Sequence, residues 1–382
     1  MAIDVSLSSE QELIQQSARD FFAAESTIAA VRKAEAADEE FPRALWDKMS
    51  QMGWLGMGFP EEFGGAGCPA LDLYPIYIEA GRHLAPVPLL DCVGFAGALI
   101  AAAGNEAQKK ALLPEIAAGR CIVSCAVMES EGVYGPRGIK LAATPYANSA
   151  GSGYTLNGTK VLVPWVKSAS KLIVAARTGG KNGPKGVTLF LVDPKAGGVS
   201  VEATKTMTGE RLYAVTFNKV SVAADSVLGE VDAGWKPLDE AQLRAGVLQA
   251  GIVVGAGERV LEITADYAKN RVQFGKPIGS YQAVQYLVTD IAVDLHLARL
   301  LALQAAWKLS TSKKWQREAA LAKAQANKAA VAMIHGSHET HAGIGFMLDY
   351  DLQLYTRRAK HWEYNLGDTR YHIDRSLTEA GI

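Results

Sequence analysis

The sequence predicts an α+β chain in three parts: a helical N-terminal domain over 1–120, an antiparallel β-barrel or sandwich over 121–230, and a C-terminal four-helix bundle over 231–382. Three observations predict it. Apolar residues recur at helical spacing through the first third; near Cys121 the period shortens to that of strands; after Asp232-Ala-Gly-Trp235 the helical period returns and persists. With 382 residues, 49% of them hydrophobic, the chain is long enough to bury a large core shared among two or three domains.

Taken in order, Ser9 with Glu12 predicts a capping box ahead of Leu13, Ile14, Ala18, Phe21 and Phe22, which share one face of a helix. Arg43 to Met52 and Leu71 to Gly81 repeat that pattern, with punctuation at Pro60-Glu-Glu-Phe-Gly-Gly-Ala-Gly67 and at Pro86 and Pro88. Glu106 to Ala118 is a further helix whose end Pro114 should make irregular. Tyr154 to Val163 alternates around Asn157-Gly158, the strongest short hairpin signal. Lys171 to Arg177, Val187 to Val192, Val199 to Ala203 and Leu212 to Val222 are β-rich runs separated by Gly, Pro, Asn or Lys clusters. Asp239 to Asn270, Gln282 to Ser310, Trp315 to His341 and Tyr350 to Leu366 are the long helices expected to form the bundle.

Composition excludes several classes of partner. With 39 basic and 40 acidic side chains there is no electrostatic footprint for a nucleic-acid backbone. The start, Met1 to Glu12, is acidic and polar where a secretory leader would be basic and then apolar, so a cytoplasmic protein is expected. The apolar stretch Gly246 to Gly257 is interrupted by Gln249 and bounded by Arg244, Glu258 and Arg259, short of the ~20 residues a membrane helix needs. Cys68, Cys92, Cys121 and Cys125 are too scattered for a disulfide framework and lack a second pair of metal ligands. They read as reduced packing residues, and no metal site is expected.

Several strings carry a resemblance. The Pro60 to Gly67 loop is similar to the PEEYGG segment of the acyl-CoA dehydrogenase family, Tyr154 to Lys160 to its GWxLNGxK hairpin, and Ala224-Asp-Ser-Val-Leu-Gly229 to its PxxNxLG exit from the β domain. Arg271-Val-Gln-Phe-Gly-Lys-Pro-Ile278, followed by Gln282-Ala-Val-Gln285, is the most specific match; His341-Ala-Gly-Ile-Gly-Phe346 with Tyr355-Thr-Arg-Arg358 resembles HGGxGF and YRRA. The resemblance spans essentially the whole chain and implies FAD as cofactor and an acyl-CoA substrate. It further implies an electron-transfer flavoprotein-like acceptor and assembly as a homo-tetramer, or as a heterotetramer with a second acyl-CoA dehydrogenase subunit. Within it, Arg271, Gln273, Phe274 and Gln282 would reach a neighbouring subunit's flavin, and Gly343 and Gly345 its adenine end.

The residues themselves leave alternatives open. A pyrophosphate demands cationic or amide donors, which Arg271 and Gln273 supply from a turn beside Gly275 and Pro277; without the flanking pattern, a loop Arg in a solvated salt bridge is the better reading. Phe274 alone reads as core, and Gly343 with Gly345 as a helix C-cap.

Departures from the family pattern bear on mechanism. Where relatives read LTEPxxGSD, this chain has Val127-Met-Glu-Ser-Glu-Gly-Val-Tyr-Gly-Pro136, so Met128, Glu129 and Ser130 would face the chain's own flavin without the usual Thr, Pro and Ser-Asp. WITN becomes Leu162-Val-Pro-Trp165, and Trp165 either stacks near the flavin or is a core or surface Trp. The carboxylate that takes the α-proton is missing from both family positions, occupied here by Leu366 and Ala245. Asp368, two residues past Leu366, is the candidate catalytic base, or else a helix cap or partner of Arg370; Glu240 lies upstream of the second position. Three functions remain in view. One is FAD-dependent α,β-dehydrogenation by this chain, of a bulky or dicarboxylic acyl group. Another is a half-site or non-catalytic subunit of a heteromeric enzyme, resembling small subunits such as that of pimeloyl-CoA dehydrogenase. The last is a flavin-free CoA-ester-binding protein.

Overall fold

The structure is a computed structural model that describes residues 7–148, 151–180, 182–312 and 314–382, so the first six residues of the polar N-terminal stretch lie outside it. In chain order the helices of the first third are α1 (Ser9–Glu25), α2 (Ile28–Ala36), α3 (Arg43–Gln51), α4 (Ala70–Arg82), a π-helical segment Leu89–Gly97 running into α5 (Ala98–Ala103), and α6 (Glu106–Ala117). Strands β1 (Val123–Ala126), β2 (Ala142–Asn148), β3 (Gly151–Pro164), β4 (Lys171–Arg177), β5 (Val187–Val192), β6 (Val199–Thr204), β7 (Leu212–Ala223) and β8 (Val227–Leu228) follow. Next come α7 (Trp235–Asn270), the short pair β9 (Val272–Gln273) and β10 (Lys276–Pro277), α8 (Gln282–Thr311), α9 (Gln316–His341), α10 (Leu352–Tyr364) and α11 (Thr369–Ala380).

The chain divides into two compact units that do not follow its order: Met1–Ala36, Pro69–Pro86 and Gly246–Ile382 form one, Ala37–Cys68 and Val87–Ala245 the other. In the β-containing unit the strands hydrogen-bond in the order β6-β7-β3-β2-β4-β5-β8, with β1 parallel to β4. Leu172, Ile173, Val174, Ala175 and Ala176 of β4 are all fully buried, which is why this strand reads as an unbroken apolar run rather than an alternating one. Edge strand β6 is mostly exposed and carries Glu202, a charge that discourages further pairing. A core cluster of Leu156, Val163, Leu172, Phe190, Tyr213, Val215 and Phe217, among others, lies against the strands of this unit. Each such side chain contributes roughly 1.5–3 kcal/mol by leaving water.

In the helical unit α9 packs with α8, α10 and α11, and its buried stripe of Ala319, Ala320, Ala322, Ala326, Ala329 and Ala330 permits close approach. Helices α4 and α7 cross backbone to backbone. A Cβ at Gly81 would lie 2.1 Å from the Ile252 carbonyl oxygen, and one at Gly255 1.8 Å from that of Ile78, so neither position accepts even alanine without separating the helices. Buried Glu79 on α4 accepts from Arg19 Nη2 at 2.8 Å and Arg19 Nε at 3.2 Å.

Some local expectations change. The α1 cap is Ser8 with Gln11, one residue earlier than Ser9 with Glu12, because Ser8 holds the extended backbone and accepts from the Gln11 N–H. Pro114 lies inside α6, which continues to Ala117; in a last turn the proline forfeits little more than the bond to residue 110. Asn157-Gly158 is not a hairpin turn. It lies within β3, where the register against β7 shifts between Leu156 and Gly158, and Gly158 takes a φ of +144° to make the bulge. Strands β2 and β3 instead connect after Asn148, through residues 149 and 150, which lie outside the described residues. The last long helix ends at Tyr364, and α11 is an additional helix.

Candidate active site

In the β-containing unit, Glu129 is the fixed point of the loop between β1 and β2. Its Oε1 accepts from Lys160 Nζ at 2.6 Å and from the backbone N–H groups of Lys140 and Leu141, each at 2.9 Å. Lys160 is wholly buried on β3, and its Nζ also donates to the Val127 carbonyl at 2.9 Å. Burial pushes this ammonium down to about 8, against the opposing attraction of Glu129. The Met128 carbonyl accepts from Val161 N–H at 2.9 Å, so Met128 and Glu129 are both fastened to β3. Beyond them Ser130 to Val133 face outward, and Gly132, with φ +65°, has open space around it. Arg177 ties down the far end of the loop by donating to the carbonyls of Pro136, Ile139, Gly183 and Lys185.

Leu162 and Trp165 both adopt left-handed backbone, with φ of +55° and +56°, at the end of β3 where its register against β7 slips again. Leu162 is half exposed. Trp165 is buried, its indole N–H donating to Asp91 Oδ2 at 2.7 Å and its ring edge-on to Phe41. The indole donor is therefore committed within the chain.

In the helical unit, Arg271, Gln273 and Phe274 stand on the β9–β10 turn, all exposed; Phe274 is 93% exposed with φ +53°. Arg271 makes no side-chain ion pair among the described residues, whereas Gln273 Nε2 donates to its neighbour's carbonyl, Val272 O, at 2.9 Å. Gln282 opens α8 and is exposed. An unneutralised guanidinium beside an amide and an uncovered ring fits a group carrying phosphate charge and an aromatic surface, as FAD does.

The segment after α9 is held by two histidines. His341 stacks on Tyr267, donates from Nδ1 to Ser337 O at 2.8 Å and contacts the Tyr350 hydroxyl from Nε2 at 3.1 Å. His338 stacks on Phe346 and meets Thr356 Oγ1 at 2.9 Å. Burial lowers both pKa values. Gly343 is exposed with open space at its Cα, and Gly345 is buried, where a Cβ would sit 2.9 Å from His338 Nδ1. Of the Tyr355 to Arg358 string, Tyr355 donates to Arg82 O at 3.0 Å, while Arg357 and Arg358 both pair with Glu35 at 3.0 and 2.8 Å.

At the expected base positions, Leu366 is half-buried and Ala245 fully buried. Asp368 is the N-cap of α11, its Oδ1 accepting from Tyr371 N–H at 2.8 Å, while Arg370 reaches toward Asp374 rather than Asp368. One cluster escaped the sequence reading. Buried Lys323 and Asn327 of α9, with His372 of α11, converge on the turn that contains Leu366. The signal was available: both residues fall on the alanine-rich buried stripe of α9, where a lysine is out of place. Among the described residues no group of His, Cys, Asp or Glu could hold a metal ion, and no helix is long and apolar enough to cross a membrane.

A helical domain, a β domain and a helical domain in this order are the fold of the acyl-CoA dehydrogenase flavoproteins. Three domain families match in sequence: acyl-CoA dehydrogenase N-terminal domain over residues 8–120, middle domain over 128–220 and C-terminal domain over 232–377. The acryloyl-CoA reductase (NADH) of Anaerotignum propionicum is 30% identical, covering 97% of this chain and 94% of its own. The caffeyl-CoA reductase-Etf complex subunit CarC of Acetobacterium woodii is 28% identical over 92% and 93%, and human mitochondrial short-chain specific acyl-CoA dehydrogenase 29% identical over 93% and 86%. Among solved structures, a variant of the Tcur3481-Tcur3483 steroid ACAD has a TM-score of 0.84 at 30% identity over 97% and 98%. The ChsE4-ChsE5 complex of Mycobacterium tuberculosis has a TM-score of 0.88 at 26% identity over 99% of each chain. The chain belongs to the acyl-CoA dehydrogenase family and is an oxidoreductase of that family, whose dehydrogenases act on acyl-CoA thioesters. The match is to the family as a whole and does not narrow it to small subunits such as that of pimeloyl-CoA dehydrogenase.

Proposed function

We propose that this chain takes part in FAD-dependent α,β-dehydrogenation of an acyl-CoA in the cytoplasm, and that its Arg271 turn serves a flavin held by a neighbouring subunit. The observation that carries this is the turn itself: a guanidinium with no ion-pair partner among the described residues, presented with Gln273 and Phe274 on a two-stranded turn, has no evident role in its own subunit's stability. FAD, when bound, would supply the acceptor for the β-hydrogen as hydride, and a protein carboxylate would take the α-proton. For the chain's own residues, Arg271 and Gln273 would neutralise and bond the pyrophosphate of a neighbour's flavin, and Gly343, with open space at its Cα, would admit the adenine end, while Gly345 lets the backbone close on His338. Met128 and Ser130 border the chain's own flavin side, while Glu129 shapes the loop through Lys160. Asp368 is the base if the chain works alone.

A heteromeric arrangement is favoured by one observation: both positions where relatives carry the base are apolar, and Asp368 already caps a helix. The likeness to the ChsE4-ChsE5 complex supports this reading, and the likeness to the Etf-complex subunit supports an electron-transfer flavoprotein-like acceptor. The purified chain should show a bound-flavin visible spectrum. Bleaching by an acyl-CoA in the isolated chain supports self-sufficiency, and bleaching only after mixing with a second family subunit supports the heteromer. A colourless chain that binds a CoA ester and gains no flavin from any partner overturns the proposal.

A further inference from the structure

Lys323 lies in the second turn of α9 with 1% of its surface exposed and no carboxylate within ion-pair distance among the described residues. Its Nζ donates to Trp362 O at 2.9 Å, to Gly367 O at 3.5 Å and, at short range, to Asn327 Oδ1. Three acceptors match the three N–H bonds of an ammonium, so the geometry is built for the charged form although desolvation opposes it. Wholly buried Asn327 adds its own bond, Nδ2 to Gly367 O at 3.1 Å. Trp362 lies in the last turn of α10, where carbonyls lack helical partners and a cation is favoured.

The tethered turn is itself unusual. Leu366 and Gly367 have φ of +62° and +113° in succession; a leucine persists there only where its surroundings fix it. Those surroundings are complete. His372 Nε2 donates to Leu366 O at 2.9 Å from α11, Asp368 caps that helix, and a Cβ at Gly367 would lie 2.6 Å from His372 Nε2. Charged or titratable groups facing Lys323 are Glu363 on α10, Asp368 in the turn and His372 on α11, with Arg375 behind it; on α7, Gly246 approaches closely, its Cβ position 3.7 Å from the lysine stem. Burial, reinforced by Lys323, pushes His372 down to about 3, so it stays a neutral donor.

We propose that Lys323, with Asn327, is the positioning residue of the Asn365–Asp368 turn: its ammonium fixes the backbone of Leu366 and Gly367 and thereby sets which side chain stands where relatives place their base. The bearing on acyl-CoA chemistry rests on the function proposed above; the tether does not. The test is hydrogen exchange on the full-length protein carrying whatever FAD it retains, comparing the parent with Lys323→Met, which keeps length and removes charge, and with Asn327→Ala. Amides of Gly367, Tyr371 and His372 should exchange at least ten-fold faster in Lys323→Met and a few-fold faster in Asn327→Ala, with the amides in the middle of α8 and α9 at parent rates. In the parent, after correction for intrinsic rates, protection of those three amides should weaken as pH rises from 6 to 9, and Lys323→Met should lack that dependence. Parent-rate exchange at these amides in both variants, or acceleration spread evenly over the helices, would overturn the proposal; if Lys323→Met does not fold, Asn327→Ala decides by the same criteria. An absence of FAD from the parent counts against the proposed function and leaves the exchange result standing.

Discussion

Replacing Glu129 by Gln removes the only carboxylate within ion-pair distance of Lys160 among the described residues and leaves a fully buried ammonium with the Val127 carbonyl. Deleting one member of a buried pair typically costs about 3–5 kcal/mol because the survivor is left uncompensated. Glutamine keeps the shape and can still accept from the Lys140 and Leu141 amides, which puts this change near the lower end, about 3 kcal/mol. Lys160→Met should cost less, about 1–2 kcal/mol: Glu129 keeps two amide donors, and its 14% side-chain exposure gives it some water. Urea denaturation followed by tryptophan emission, which includes Trp165 in this unit, measures the order of the two. The pH dependence supplies a second reading. Lys160 has a folded pKa of about 8 against an ordinary 10.5, so above about 8 the unfolded chain binds more protons and stability rises with pH until the unfolded lysine also deprotonates. The parent should therefore gain stability relative to Lys160→Met between those values. If Lys160→Met proves the more damaging substitution at pH 7, or the pH-dependent gain is absent, the buried ammonium does not govern this loop.

Arg271→Ala should leave the fold intact within about 0.5 kcal/mol, since the exposed side chain has no ion pair among the described residues to lose, yet weaken FAD retention by roughly 10–100-fold; FAD per chain after gel filtration reads it, and unchanged content places the site elsewhere. Asp368 can be dissected by two substitutions. Asn preserves the cap on α11 and Ala costs about 0.5–2 kcal/mol, so a loss of flavin bleaching in Asp368→Asn at parent stability marks the base, whereas full activity makes it structural. Along α8, Tyr286, Val293, Leu297 and Leu300 are exposed at helical spacing and fit an assembly surface; Leu297→Glu should shift sedimentation toward smaller species, and an unchanged profile removes this face from the assembly.

Much of the architecture was legible because burial and period coincide. Lys171 to Arg177 and Val187 to Val192 read as strands from unbroken apolar runs, and both are central in the sheet. Asn157-Gly158 misled because a bulge and a two-residue turn both favour a residue without Cβ, and only pairing with β7 distinguishes them. The Leu89–Gly97 segment gave no sign of π geometry, since its period in a nearly all-apolar run is unreadable. Of the candidate site, the outward setting of Arg271 follows from its place beside Gly275 and Pro277. The commitments of Glu129 to Lys160 and of Trp165 to Asp91 join residues 31 and 74 positions apart, which no local pattern reports. Lys323 was missed for a different reason: a lysine is assumed to be solvated unless its helical face is traced.

The interleaved make-up of the two compact units has a consequence for biosynthesis. The β-containing unit is complete once Ala245 has been made, but the other unit draws on the first 36 residues, on Pro69–Pro86 and on everything from Gly246 onward. Helices α1, α2 and α4 therefore leave the ribosome long before α7, against which Tyr74 and Ile78 pack, is complete. At ordinary elongation rates that interval is roughly ten to thirty seconds. For that time the nascent chain carries a folded insert flanked by uncovered amphipathic helices, and the yield of native protein in the cell should depend on chaperone occupancy of those helices more than on the final stability of either unit.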